Sequence, residues 1–367
     1  MKKWNKFILL SFLFACVTMA LGPFAVPVPQ LEGLVSEREF IDADSRFIEI
    51  NGVDIHYKEA GGGETTFILL HPFGGGAFSW REVMDDFAAR GRVIAYDRPA
   101  FGLTERPMPE DWESNPYGMK ANIEILRGLL DAFGVEKAIL VGNSAGGGVA
   151  AAFALEYPER VETLILVDPG VGGGYGPQFP AWALPIMWTP QARHIGPLLM
   201  RDYQESLPRT IEREWYDKTK LTDEIKQESL NLLKIENWDR AFYELTFAPA
   251  YPELRPLLPQ LKTPALIVAG PRRPFDPLVV FRSHLRRNAG RGARHASSLR
   301  ARAAGGMPRP VHGCGKPVPR SAMRSNLIIP GISAPDFELE DINGVRIRLS
   351  GFRGNKPVLL AFLRGFI

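Results

Sequence analysis

Cysteine is almost missing from this sequence. Only Cys16 and Cys314 occur among 367 residues, far apart and in unlike surroundings, which excludes a disulfide framework and a cysteine-built metal centre. Net charge is also small, at +3, but it is unevenly spread. Residues 271–324 hold twelve Arg and one Lys against the single Asp276, a local +12 that leaves −9 for everything else. The same stretch lacks Glu, Ile, Thr, Tyr and Trp, which is not how a folded α/β segment is composed. A basic linker of this kind could bind nucleic acid or anionic lipid, but it has no interleaved aromatics and no recognisable module, so nucleic acid is not an expected partner. We read 271–325 instead as GC-rich coding sequence out of frame. The rest, in a chain with 45% hydrophobic and 23% charged residues, suffices for one large α/β domain with a sizeable core.

Charge is wholly absent from Phe7 to Val28, behind Lys2, Lys3 and Lys6. That is the pattern of a secretory signal or an N-terminal membrane anchor over residues 1–30. Thr18-Met19-Ala20 is a marginal cleavage site and about 20 apolar residues span a bilayer, which favours an uncleaved anchor with the domain on the extracytoplasmic side. If cleaved, the domain would be secreted. Cys16 reads as an ordinary apolar membrane residue.

After a polar linker, Phe47-Ile48-Glu49-Ile50 and Asp54-Ile55-His56-Tyr57-Lys58 flank Asn51-Gly52-Val53, predicting an edge hairpin with His56 half-exposed. A buried strand, Thr65 to Leu70, then delivers His71-Pro72-Phe73-Gly74-Gly75-Gly76. A helix is expected over Phe78 to Arg90, a strand over Arg92 to Tyr96 leading into Asp97-Arg98-Pro99-Ala100-Phe101-Gly102, and an amphipathic helix from Met119 to Phe133. Next comes Ala138-Ile139-Leu140-Val141-Gly142-Asn143-Ser144-Ala145-Gly146-Gly147, leaving as a small-residue helix. A strand, a sharp Gly-x-Ser-x-Gly turn and a helix is what exposes a serine hydroxyl as a nucleophile. Val161 to Val167 is a further buried strand, ending at Asp168-Pro169-Gly170. Strands alternating with helices predict a mostly parallel sheet, with ligands at the carboxyl ends of the strands.

The three motifs at His71, Asp97 and Gly142, in this order and spacing, resemble the α/β-hydrolase superfamily from about Phe47 to Gly270. The resemblance implies a hydrolase core over 40–270, Ser144 as nucleophile, and the backbone N–H groups of Phe73 and Ala145 as an oxyanion hole. It implies a cap over about 171–254, with helices near Pro208 to Lys218, Asp223 to Lys234 and Trp238 to Phe247. Aromatics in that cap suggest an apolar pocket, and His194 there lies on the wrong element for a catalytic base. No cofactor is implied. The expected activity is that of a serine esterase on a small apolar ester. The Gly-Asn-Ser-x-Gly-Gly form also resembles hydrolases that cleave carbon–carbon bonds of ring-fission products, and a serine argues against dehalogenases and epoxide hydrolases, which use aspartate there.

The family pattern breaks after Leu261 to Gly270. Arg273 stands where the acid belongs, so the displaced Asp276 is the acid candidate, with Asp168 as a second. By chain order the base is His284, His295 or His312; His312 adjoins Gly313-Cys314-Gly315-Lys316, which stands in place of the family's Gly-His turn. A remnant without catalysis is therefore a third reading. Residues 326–367, with Ala334-Pro335-Asp336-Phe337 and Lys356 to Gly365, resemble the opening of a peroxiredoxin or thioredoxin-like domain. No reactive cysteine follows, so no peroxidase chemistry is expected.

Overall fold

The computed structural model describes residues 2–171, 180, 182–215, 218–249, 251–268, 338–340 and 346–348. The uncharged N-terminal run forms helix α1, Lys2–Leu21, continued by a 3₁₀ turn at Gly22–Ala25. At 1.5 Å per residue such a helix is about 30 Å long. Its apolar side chains, from Phe7 to Leu21, are exposed.

Strands β1, Arg46–Ile50, and β2, Val53–Ala60, pair antiparallel with Ile50 opposite Val53. Asn51 at φ 53° and Gly52 at φ 76° make the connecting turn, where two consecutive left-handed residues match the twist of the strands. Strand β3, Thr66–Leu70, is buried throughout. The helix expected over Phe78 to Arg90 is instead a 3₁₀ turn at Ala77–Trp80 and a short α2, Met84–Ala88, joined by bonds from Arg81 N to Phe78 O and from Val83 N to Trp80 O. Strand β4, Arg92–Tyr96, helix α3, Met119–Ala132, strand β5, Ala138–Asn143, helix α4, Ala145–Glu156, and strand β6, Val161–Val167, follow as the periodicity predicts.

Beyond β6 come α5, Leu184–Met187, α6, Pro190–Glu214, α7, Asp223–Asn231, and α8, Trp238–Thr246. Of the three helices expected here, the first is corrected: α6 starts eighteen residues earlier than Pro208 and holds both Pro197 and Pro208 within it. The reason is packing. At Gly196 a side chain would run into the Tyr243 ring, so the glycine lets α8 lie close against α6, and that contact outweighs the weak local propensity.

Strand β7, Ala265–Val268, completes a seven-stranded sheet in the order β1-β2-β4-β3-β5-β6-β7, parallel from β4 to β7. Alternation sorts its faces. Phe67, Leu69, Val93, Ala95, Ile139 and Val141 pack with Ala77, Trp80, Met84 and Phe87 on one side. Ile123, Leu126, Leu129 and Leu130 of α3 are fully buried, each contributing about 1.5–3 kcal/mol of apolar burial. As a separate unit, β8, Glu338–Glu340, pairs antiparallel with β9, Arg346–Arg348.

Candidate active site

Ser144 sits between β5 and α4 at φ 49° and ψ −114°, a backbone conformation that costs about 1–3 kcal/mol in a residue with a side chain. The neighbouring glycines make room for it. A Cβ on Gly142 would lie 2.6 Å from Gly146 O, and one on Gly146 would fall on the Leu70 carbonyl at the end of β3. The strain is held by bonds on both sides: Ser144 N donates to Val167 O (2.9 Å), while Ser144 O accepts from Gly148 N (3.1 Å) and Gly170 N (2.7 Å). The side chain is half-buried at the carboxyl edge of the sheet.

Ala145 is the first residue of α4, so its N–H belongs to the electropositive end of that helix. Phe73 lies on the loop after β3, where Gly75 N donates to Pro72 O (3.2 Å) and Gly74 takes φ 73°. The structure therefore brings Ser144, Ala145 and Phe73 to one edge, together with Asp168, which ends β6 at φ 41° and donates its N–H to Val268 O (2.8 Å). Asp276, His284, His295 and His312 lie outside the described residues.

The loop bearing Phe73 is braced by Asp97, His56 and Arg98, for which sequence reasoning finds no such role. Asp97, fully buried after β4, accepts from Ala77 N (2.5 Å) through Oδ1, and from Leu103 N and His56 Nδ1 (2.7 Å each) through Oδ2. Burial alone would raise this carboxyl, but His56 and the Leu103 N–H outweigh it and hold Asp97 below the usual carboxylate value. Arg98 donates to His71 O (3.0 Å), and its backbone N–H donates to His71 Nε2 (2.9 Å). The expectation that His56 is half-exposed is corrected: it is buried, because β2 is an inner strand, paired with β4 as well as with β1.

Neither of these histidines can serve the serine. His71 Nδ1 donates to Pro72 O (2.7 Å) while Nε2 accepts from Arg98 N; burial and the Arg98 charge pull its pKa down to about 3. His56 stands three strand spacings from β5, about 14 Å. His194 on α6 faces Val26 O (3.0 Å), a structural role as its element implied.

Above the loop lies the helical cap. Phe73, 37% exposed, meets Phe101, Phe242 of α8 and Tyr203 of α6 at centroid distances of 5.2, 5.8 and 6.4 Å. A Cβ on Gly74 would lie 3.4 Å from the Tyr203 hydroxyl. This aromatic cluster makes the surroundings of the loop apolar, through residues other than Trp182, Trp188, Trp215 and Trp238, the described cap aromatics from which the sequence suggests a pocket.

Residues 65–277 match the family described as the alpha/beta hydrolase fold, and the chain belongs to that family. A 2-hydroxy-6-oxononadienedioate/2-hydroxy-6-oxononatrienedioate hydrolase of Paraburkholderia phymatum is 35% identical over 237 residues, which cover 62% of this chain and 77% of the relative. A 2-hydroxy-6-oxo-6-phenylhexa-2,4-dienoate hydrolase of Comamonas testosteroni is 32% identical over 248 residues, covering 64% and 82%. Among solved structures, a membrane phospholipase A shares the fold with a TM-score of 0.51 at 22% identity, covering 77% of this chain and 87% of its own. The family match ends at 277, so the peroxiredoxin-like reading of 326–367 rests on its motifs alone.

Proposed function

We propose that this chain hydrolyses a carbon–carbon bond in a 2-hydroxy-6-oxo-dienoate, a ring-fission product, with Ser144 as nucleophile. The observation that carries this is the substrate named for its relatives, 30–35% identical over about four-fifths of their length. Such a molecule has a ketone and no ester, so the bond across which water adds is carbon–carbon. The esterase reading of the sequence gives way to this one.

In the proposed reaction the dienol first loses its 2-hydroxyl proton and takes one at C5, becoming the isomeric 2,6-dioxo-enoate. Ser144 Oγ attacks C6 and its proton passes to the base, while the Phe73 and Ala145 N–H groups hold the oxyanion. Collapse breaks the C5–C6 bond. Its electron pair moves through the C3–C4 double bond onto the C2 carbonyl, and the resulting dienolate is protonated. Water then releases the acyl group as a carboxylic acid and restores the serine. Asp276 and His312 are the proposed acid and base. The aromatic cluster at Phe73, Phe101, Tyr203 and Phe242 suits the flat, conjugated chain of such a substrate.

The test follows the dienolate absorbance of 2-hydroxy-6-oxo-6-phenylhexa-2,4-dienoate beside hydrolysis of p-nitrophenyl butyrate, with fluorophosphonate labelling in parallel. Expected are a higher kcat/KM on the dienoate and a fall of about 10³-fold or more in Ser144→Ala. Turnover of the ester alone restores the esterase reading. A folded chain that turns over neither compound and takes no label is a hydrolase in fold only.

A further inference from the structure

We propose that the α5–α6 corner of the cap, with segment 22–29, rests in the interface of a bilayer crossed by α1. The inference starts from how α6 is written. Between residues 182 and 200 the exposed residues are Trp182, Pro185, Ile186, Pro190 and Leu199, all apolar. Trp182 is 73% exposed, Ile186 50% and Leu199 61%. The only charge in that stretch, Arg193, is turned inward as a bidentate partner of Glu244 (2.7 and 3.0 Å), whose side chain is 4% exposed. From Asp202 onward the exposed residues of α6 are polar or charged except Pro208, with Gln204, Glu205, Ser206, Arg209, Glu212 and Arg213. The polarity therefore changes along the helix axis, not around it. Amphipathic packing against a core would sort residues around the axis; a boundary between two solvents sorts them along it.

The apolar half is also the half joined to α1. Gln191 Nε2 donates to Ala20 O (3.1 Å) in the last turn of α1, His194 Nε2 bonds Val26 O (3.0 Å), and the Phe24 and His194 rings lie 5.4 Å apart. Segment 22–29 adds exposed Phe24, Ala25, Val26, Pro27 and Pro29 to the same surface. A helix that crosses the membrane would thus deliver this corner to the headgroup level, where an exposed tryptophan beside aliphatic side chains is stabilised. One turn beyond Leu199 stands Tyr203, packed on Phe73. The docked corner would then lie next to the candidate site.

The full chain, with Cys16→Ser and Cys314→Ser, is spin-labelled through Trp182→Cys, Ile186→Cys or Leu199→Cys. Lys137→Cys, exposed at the amino end of β5, is the control. In vesicles of phosphatidylethanolamine and phosphatidylglycerol, labels at 182, 186 and 199 should collide several-fold more with oxygen than with a water-soluble nickel chelate, relative to 137. Intact mass and retention on vesicles after carbonate washing report on α1 separately. Labels that read like 137 on a retained chain overturn the docking and leave the anchor standing. Loss of residues 1–20, or release by carbonate, overturns both. Labels shielded from both reagents mean that a second copy covers the corner, and the proposal fails. No substrate enters the experiment, so its outcome is independent of the proposed activity.

Discussion

Replacing Asp97 by Asn tests whether the loop carrying Phe73 is held from beneath by a single buried carboxylate. The amide keeps the shape and removes one acceptor. In its better orientation the amide oxygen still accepts from Leu103 N and His56 Nδ1, while the NH₂ faces Ala77 N. One buried N–H is then left without an acceptor, about 1–3 kcal/mol, and two charge-assisted bonds become neutral ones, about 1 kcal/mol each. The expected loss is about 3–5 kcal/mol of unfolding free energy, read by urea titration of tryptophan fluorescence. Because the carboxyl lies below its ordinary value, its contribution is present above about pH 4 and disappears as pH falls through the folded value. The gap between wild type and D97N should therefore close in acid. Ala77 N–H ties the 3₁₀ turn after the loop to β4, so folded D97N should also react more slowly with a fluorophosphonate. A loss under 1 kcal/mol, or labelling at the wild-type rate, would refute the assignment of Asp97 as the brace.

Ser144→Gly should be more stable than Ser144→Ala by about 1 kcal/mol, since only glycine relieves φ 49°; equal melting temperatures would show that the elbow carries no strain. Gly146→Ala would drive a methyl into the Leu70 carbonyl, and thermal melts should show a loss of more than about 3 kcal/mol, whereas near-wild-type stability would contradict this packing of α4 on β3. Arg193→Gln leaves Glu244 buried without its cation, a loss of about 3–5 kcal/mol at neutral pH. Burial already raises the Glu244 carboxyl, so protonation should restore part of that loss; a destabilisation as large at pH 4.5 as at pH 8 would count against it.

The elbow, the β1–β2 hairpin and α3 were legible because each is decided locally. Five residues make the elbow, Asn51-Gly52 makes the turn, and helical spacing of Ile123, Leu126 and Leu130 makes the buried stripe. What escaped depends on partners distant in sequence. His56 meets Asp97 forty-one positions away, a contact that exists only because β2 pairs with β4, and an antiparallel pairing of that kind leaves no periodic trace in either strand. The helix expected from Pro208 begins at Pro190, because the close approach of Tyr243 at Gly196 is a contact between segments distant in sequence. The tie between α1 and the cap rests on one glutamine and one histidine, neither distinctive in type or spacing.

The base of the reaction has no such hidden partner among the described residues. His56 is committed to Asp97, both nitrogens of His71 are occupied, and His194 faces Val26 O. The base proposed for Ser144, His312, follows β7 in the chain, in the order serine, acid, histidine expected of this family. That is where composition departs from a folded α/β segment and where the family match ends, at 277. The two facts have one explanation if the coding sequence changes frame near codon 271: the nucleophile and its braces would be inherited intact and the histidine turn lost. Inserting or removing one base there should then read out an acid-bearing loop, an apolar strand and a Gly-His turn. If neither alternative frame contains them, the frame explanation is wrong, and fluorophosphonate labelling of His284, His295 and His312 variants decides which of them reaches Ser144.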